Sequence, residues 1–205
     1  MITKVKLEQV IPKGDRVLVH IEKIPNVSDS GIILEDGNEF NSTKMDISNY
    51  IGKVISMGDT ELVHKHTPEL QIGDNVMFSQ FAGYHVPTEK GVFGKVVHAH
   101  DIHCKVDNPM KFGKDNVTPM GARISVEILK PEDTTESGIF VGTAESDPRE
   151  LDMEKCKVLG VGPNAKEYKE DDIVFIPEYV GNKVPLGDIM LKTVNYDDVL
   201  FMIKQ

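Results

Sequence analysis

The sequence predicts an all-β chain made of two tandem copies of one small domain, each a short-stranded barrel or sandwich. Three observations lead there. Separate stretches match each other in the same order, the matched stretches alternate apolar and polar residues, and little of the chain carries a helical period. "IPKGDRVLVHIEK" (11–23) aligns without gaps on "TPMGARISVEILK" (118–130), an offset of 107. Pro12/Pro119, Gly14/Gly121, Arg16/Arg123, Val19/Val126, Ile21/Ile128 and Lys23/Lys130 are identical pairs. "SDSGIIL" (28–34) and "TESGIFV" (135–141) keep the same offset. Four further pairs follow in order: "GKVISMG" with "CKVLGVG", "GDNVMF" with "EDDIVF", "FAGYHV" with "YVGNKV", and "DIHCKV" with "DVLFMI". The copies divide into domains at 1–107 and 108–205.

The first strand of each copy shows the period of two. Val17, Val19 and Ile21 share a face, as do Ile124, Val126 and Ile128. The opposite face changes character between the copies, Leu18 to Ser125 and His20 to Glu127, so only one face is expected in a core. "IGD" and "KEDD" are turns that enter the strands "NVMF" and "DIVFI".

Composition excludes several functions. The chain has 205 residues, 27% of them charged, and a formal net charge of −10. Such a chain repels phosphate, so neither nucleic acid nor an anionic membrane is an expected partner. Aromatic residues make up 6% and Trp is absent, which argues against base stacking. Cys104 and Cys156 form no disulfide framework and no zinc-finger spacing, and are expected as reduced thiols. "MITKVKLEQV" has no apolar stretch of a secretory signal, and no apolar run reaches membrane-spanning length.

The order "IPKGDRVLV", "SGIIL", "GKVISMG", "IGDNVMFSQFAG", "HDIHCKV" resembles the GroES co-chaperonin family over nearly the whole first copy. The second copy resembles it more weakly, through "TPMGARISV", "SGIFV", "KVLGVG" and "DIVFIPEYVG". The resemblance implies two GroES-like, partly open β-barrels, each with a mobile loop. It implies a lid for an ATP-driven chaperonin ring, with a folding client enclosed beneath. Family members form sevenfold rings, so a homo-oligomeric ring is expected. Gly31, Ile32, Ile33 and Leu34, and Gly138, Ile139, Phe140 and Val141, match the loop motif that docks on chaperonin apical domains. No catalytic residue and no metal is expected, and no cofactor, ATP being bound by the partner. The expected location is the cytoplasm of a bacterial or phage-infected cell, ahead of the plastid stroma.

The residues agree with a docking loop. "KIPNVSDS" and "EDGNEFNSTKMDISN" are rich in Ser, Asp, Asn and Gly and cannot build a core. Burying three aliphatic side chains yields roughly 5–9 kcal/mol gross. Ordering the loop costs about 1–2 kcal/mol per fixed residue. Each contact is therefore weak alone, and a ring of loops gains by effective concentration. The alternative for "GIIL" and "GIFV" is a buried strand, which also reads as a continuous apolar run.

The copies differ where family members carry a roof hairpin. The first has "DTELVHKHTPELQI" (59–72) there and the second only "PNAKEYK" (163–169), so a roofless second copy is expected. Ala122 in place of Asp15 is expected to alter that turn.

Three other chemistries compete. Gly160, Gly162 and Ala165 formally match a dinucleotide fingerprint, but Pro163 and the absence of a following helix favour a turn. Medium-chain alcohol dehydrogenases contain a GroES-like domain, yet they need a nucleotide domain that this repeat leaves no room for. His98, His100 and His103, near Cys104 and with the distant His64, His66 and His85, offer a metal-binding or structural interaction module as the alternative function.

Overall fold

A computed structural model describes residues 4–21, 26–27, 33–34, 49–79, 81–88, 93–107, 116–129, 153–186 and 189–203. The first copy supplies strands β1 (Arg16–Ile21), β2 (Asn26–Val27), β3 (Ile33–Leu34), β4 (Asn49–Met57), β5 (Asn75–Ser79), β6 (Tyr84–Val86), β7 (Gly94–His98) and β8 (Ile102–Val106). One helix, α1 (Thr60–His66), lies among them. The second supplies β9 (Val117–Pro119), β10 (Arg123–Ile128), β11 (Met153–Val161), β12 (Ile173–Pro177), β13 (Asn182–Leu186), β14 (Ile189–Asn195) and β15 (Phe201–Ile203).

Two sheets carry the fold. Their strand orders are β6-β7-β1-β4-β5-β8-β9 and β13-β14-β10-β11-β12-β15. Without β9 the first order is the second order, element for element, as the sequence repeat requires. Even the irregularities repeat, since β1 slips against β4 between Leu18 and Val19, and β10 against β11 between Ser125 and Val126. Among the described residues neither order closes on itself, and both copies are partly open, GroES-like β-barrels.

The period of two builds the cores. Val17, Val19 and Ile21 enter the first, with Val54, Phe78 and Ile102. Ile124 and Val126 enter the second, with Val158, Val174 and Ile176. Leu18 and Ser125 on the opposite face are buried too, which the alternation does not predict. Each copy's entering segment crosses that face. Ser56, paired with Leu18, donates its hydroxyl to Val10 O at 3.2 Å. A Cβ on Gly160, paired with Ser125, would lie 3.2 Å from Pro119 Cδ.

The turns repeat as well. Gly14 and Gly121 have φ of 64° and 58°, and Gly83 and Gly181 have 68° and 81°. The change from Asp15 to Ala122 leaves the turn intact, contrary to expectation. Ala99 N donates to Asp15 O and Tyr196 N to Ala122 O, both at 2.9 Å, and a main-chain bond does not depend on the side chain.

The roof segment departs from the sequence reading. Residues 60–66 form α1 and no hairpin. The Asp59 carboxylate caps the helix, accepting from the Glu61 and Leu62 amides at 3.0 and 3.3 Å. Val63 and Leu70 anchor it in the first core. The shorter segment of the second copy makes turns, with Ala165 and part of Tyr168 packed on the second core. β9, from the second repeat, hydrogen-bonds to β8, so the first sheet runs across the boundary at 107/108.

A charged cluster is buried in the second barrel. Lys192 Nζ is fully enclosed and donates to Glu154 Oε2 at 2.8 Å, Glu178 O at 2.8 Å and Pro177 O at 3.1 Å. Lys183 Nζ holds Glu154 Oε1 at 2.7 Å. Burial raises the Glu154 carboxyl, but the hydrogen bonds from Lys183 and Lys192 outweigh it and hold the group below its usual range. Removing Glu154 strands the ammonium of Lys192 in the interior. Glu154→Ala is expected to lose about 3–5 kcal/mol in urea denaturation. Unchanged stability would mean the three ions contribute nothing net.

Candidate functional site

Of the eight docking residues expected from sequence, the structure describes the backbone of two. Ile33 and Leu34 form β3 and pair with Val27 and Asn26 of β2. This two-stranded ribbon stands apart from the seven-stranded sheet, so β3 is not one of the barrel strands. Gly31, Ile32, Gly138, Ile139, Phe140 and Val141 lie outside the described residues.

The junction between the barrels is described in detail. β9 lies antiparallel to β8, pairing Cys104 with Pro119, Lys105 with Thr118 and Val106 with Val117. Met120, just beyond β9, is buried in the core of the first barrel. A second apolar cluster straddles the copies, joining Ile51, Met77, Cys104 and Val106 to Val117, Leu191 and Leu159. Over it sits a polar clasp. Arg123 Nε donates to His103 Nδ1 at 3.0 Å, and Arg123 NH2 to His100 O at 2.7 Å. His103 Nε2 lies 3.0 Å from the Asn182 side-chain amide. Because Nδ1 accepts from Arg123, the His103 proton sits on Nε2, and the amide must turn its oxygen toward it. Burial, and then the Arg123 charge, push His103 down to about 3, so the ring is neutral. Gly121 presses on the same seam, where a Cβ would collide with His66 O.

The family model described as "Chaperonin 10 Kd subunit" matches residues 9–106 and again 116–203. The chain belongs to the chaperonin 10 family. Similar curated relatives are the "Co-chaperonin GroES" of Fusobacterium nucleatum subsp. polymorphum, 32% identical over 89 residues, and of Campylobacter curvus, 34% identical over 90 residues. That of Clostridium perfringens strain 13 is 32% identical over 98 residues. Each alignment covers 43% of this chain and 99% of the relative, so one relative spans one barrel of this tandem.

In this chaperonin 10 tandem the three histidines near Cys104 divide between two places. His103 belongs to the clasp. His98 closes β7 and His100 lies in the 3-10 turn 99–101, so the two do not share a strand face. Asp15 joins them, with His98 Nδ1 3.0 Å from its Oδ1. Reading the sequence missed Asp15, although Arg16 pairs with His98 across β1 and β7 and so carries its neighbour there. His64 Nε2 is bonded to Leu70 O at 3.0 Å, and the exposed His85 stands on β6. Burial pushes the Cys104 and Cys156 thiols up to about 12, leaving them unsuited as nucleophiles. Gly160 lies in β11 and Ala165 in the following turns, with no helix to receive a pyrophosphate. Among the described residues no helix is long and apolar enough to cross a membrane.

The clasp has a pH signature. In the unfolded chain His103 titrates near 6.5, and in the fold near 3. Between those values the unfolded chain binds the extra proton, so stability is complete above 6.5 and is lost as pH falls. The expected slope is up to about 1.4 kcal/mol per pH unit in that window. Urea titrations of wild type and His103→Gln should differ in this slope. Parallel pH profiles would show that His103 does not report on the junction.

Proposed function

We propose that the chain is a co-chaperonin that caps an ATP-driven chaperonin ring and is not itself an enzyme. Gly31–Leu34 and Gly138–Val141 dock on the apical domains, and a client folds beneath the lid. The double match to the chaperonin 10 family carries this reading. The position of β3 outside the barrel sheet agrees with it, since a docking segment cannot also be a core strand. Bacterial co-chaperonins among the relatives support a bacterial cytoplasmic setting.

The lid is a closed head-to-tail oligomer, and the junction inside the chain supplies its pattern. Phe201–Ile203 hold the repeat positions of Cys104–Val106, and Val10–Pro12 those of Val117–Pro119. The internal pairs therefore translate into Phe201 opposite Pro12, Met202 opposite Ile11 and Ile203 opposite Val10 of the next chain. Both surfaces are apolar and open. Ile11 is 72% exposed, and Leu200, Phe201, Met202 and Ile203 are exposed too. β15 ends its sheet, offering an edge for strand addition. Each chain adds two barrels, so a closed lid of this kind holds an even number of barrels, and a ring of exactly seven barrels cannot be built from whole chains.

Two measurements test this. Wild-type protein should co-elute with a bacterial chaperonin only when ATP is present, and Ile33→Asp with Phe140→Asp should abolish that. Failure of the folded oligomer to bind several chaperonins would reject the lid. Met202→Asp should reduce the assembly to single chains of 22.8 kDa in native mass spectrometry. An unaltered assembly would reject the strand pairing and leave the docking reading standing.

A further inference from the structure

The side chains of Asp15, His98 and His100 take part in neither the docking segments nor the junction clasp, yet the fold brings them together. Asp15 lies in the turn that enters β1, His98 ends β7, and His100 follows in the 3-10 turn. The Ala99 amide donates to Asp15 O at 2.9 Å, which fixes the two turns against each other. His98 Nδ1 is 3.0 and 3.1 Å from the two Asp15 oxygens, and His100 Nδ1 is 3.8 Å from Oδ2. One ligand atom from each residue falls within 4.8 Å of the other two. The His98 and His100 rings stack with centroids 5.1 Å apart, and the His66 ring stands edge-on to His100 at 5.8 Å.

We propose that Asp15, His98 and His100 bind a borderline divalent transition-metal cation, of which zinc is the type, with water in the fourth position. Two imidazoles and a carboxylate form a donor set suited to such a cation. Around a tetrahedral zinc with bonds of about 2.0–2.1 Å, the donors stand roughly 3.3 Å apart. From the single donor Asp15 Oδ2, His98 Nδ1 at 3.1 Å and His100 Nδ1 at 3.8 Å bracket that spacing, so small side-chain rotations admit the ion. The site also opens to solvent, for the His100 side chain is 56% exposed. Asp15 supplies the one anionic donor of the set. Asp101 Oδ1 lies 3.5 Å from His100 Nε2 and supplies a second-sphere acceptor once Nδ1 is ligated. The Arg123 guanidinium donates to the His100 carbonyl, and Asp101 and Asp198 act electrostatically on that guanidinium.

The second barrel is a control built into the chain. Ala122, Asn195 and Asp197 occupy the repeat positions of Asp15, His98 and His100, so both imidazoles and the Asp15 carboxylate are missing from that turn. One ion per chain is expected, and not two.

The test is a calorimetric titration of chelator-stripped full-length protein with zinc chloride near neutral pH. A companion titration with cobalt(II) is followed by its visible ligand-field bands. The expected result is one equivalent per chain, with affinity weakened at least tenfold in His100→Ala and in His98→Ala. His85→Ala, an exposed histidine elsewhere, should bind as wild type. Circular dichroism confirms the fold of each variant, and His100→Ala is conservative for folding because the side chain is exposed. Zinc should raise the melting temperature of wild type and not that of His100→Ala. The proposal is overturned if no single-equivalent uptake occurs, or if both His98→Ala and His100→Ala keep wild-type affinity.

Discussion

Three residues of the second repeat, Val117–Pro119, complete the hydrogen bonding of the first sheet, and the arrangement of the molecule depends on that exchange. Without β9, β8 would be a bare edge, as β15 is in the second sheet. With it, the first barrel gains a seventh strand and takes Met120 into its core. The second repeat begins inside the first, so the two barrels do not hang as beads on a linker. A few main-chain bonds contribute only about 0.5–1.5 kcal/mol each. The apolar cluster around Cys104, Val117 and Leu191 adds the burial that makes the seam continuous.

Much of the fold was legible because repetition reveals what a single copy leaves ambiguous. Val17, Val19 and Ile21 alone suggest a strand, and the same face kept apolar at Ile124, Val126 and Ile128 fixes which side is the core. Turn glycines at 14 and 121 declare a left-handed backbone that both copies need. The sequence did not reveal what covers the opposite face. Leu18 and Ser125 look like a free choice of apolar or polar, yet both are enclosed by a segment from outside their own strands. Local alternation cannot encode a contact made by a distant piece of chain.

The roof segment failed for another reason. "DTELVHKH" carries an N-cap aspartate, an early glutamate and basic residues in its last turn, all signals of a helix. The family pattern suggested a hairpin, and the local chemistry prevailed. At the candidate sites the same division holds. The aliphatic triplets were visible as apolar runs set between stretches rich in Ser, Asp, Asn and Gly. The Asp15, His98 and His100 cluster was half visible, since its histidines lie close in sequence while Asp15 arrives only through the register of β1 on β7. His103 looked like part of that cluster. One residue further into β8 it faces the other barrel and joins Arg123 and Asn182.

The two kinds of seam place opposite demands on side chains. The internal seam is covalently tethered, so its partners meet at high effective concentration and little affinity is required. It can bear a half-buried guanidinium and a buried, neutral histidine, groups that are costly to desolvate and intolerant of misplacement. Such a clasp fixes register, because a slip by one residue leaves Arg123 and His103 unpaired in the interior. The proposed seam between chains has no tether and must draw on free energy of association. Its repeat counterpart of His103 is Leu200, and the Arg16 guanidinium turns back to Lys13 O at 3.2 Å. The polar clasp is thus replaced by exposed aliphatic and aromatic surface. Under the proposed assembly, the two copies differ as covalent linkage allows, with specificity within the chain and apolar adhesion at its ends.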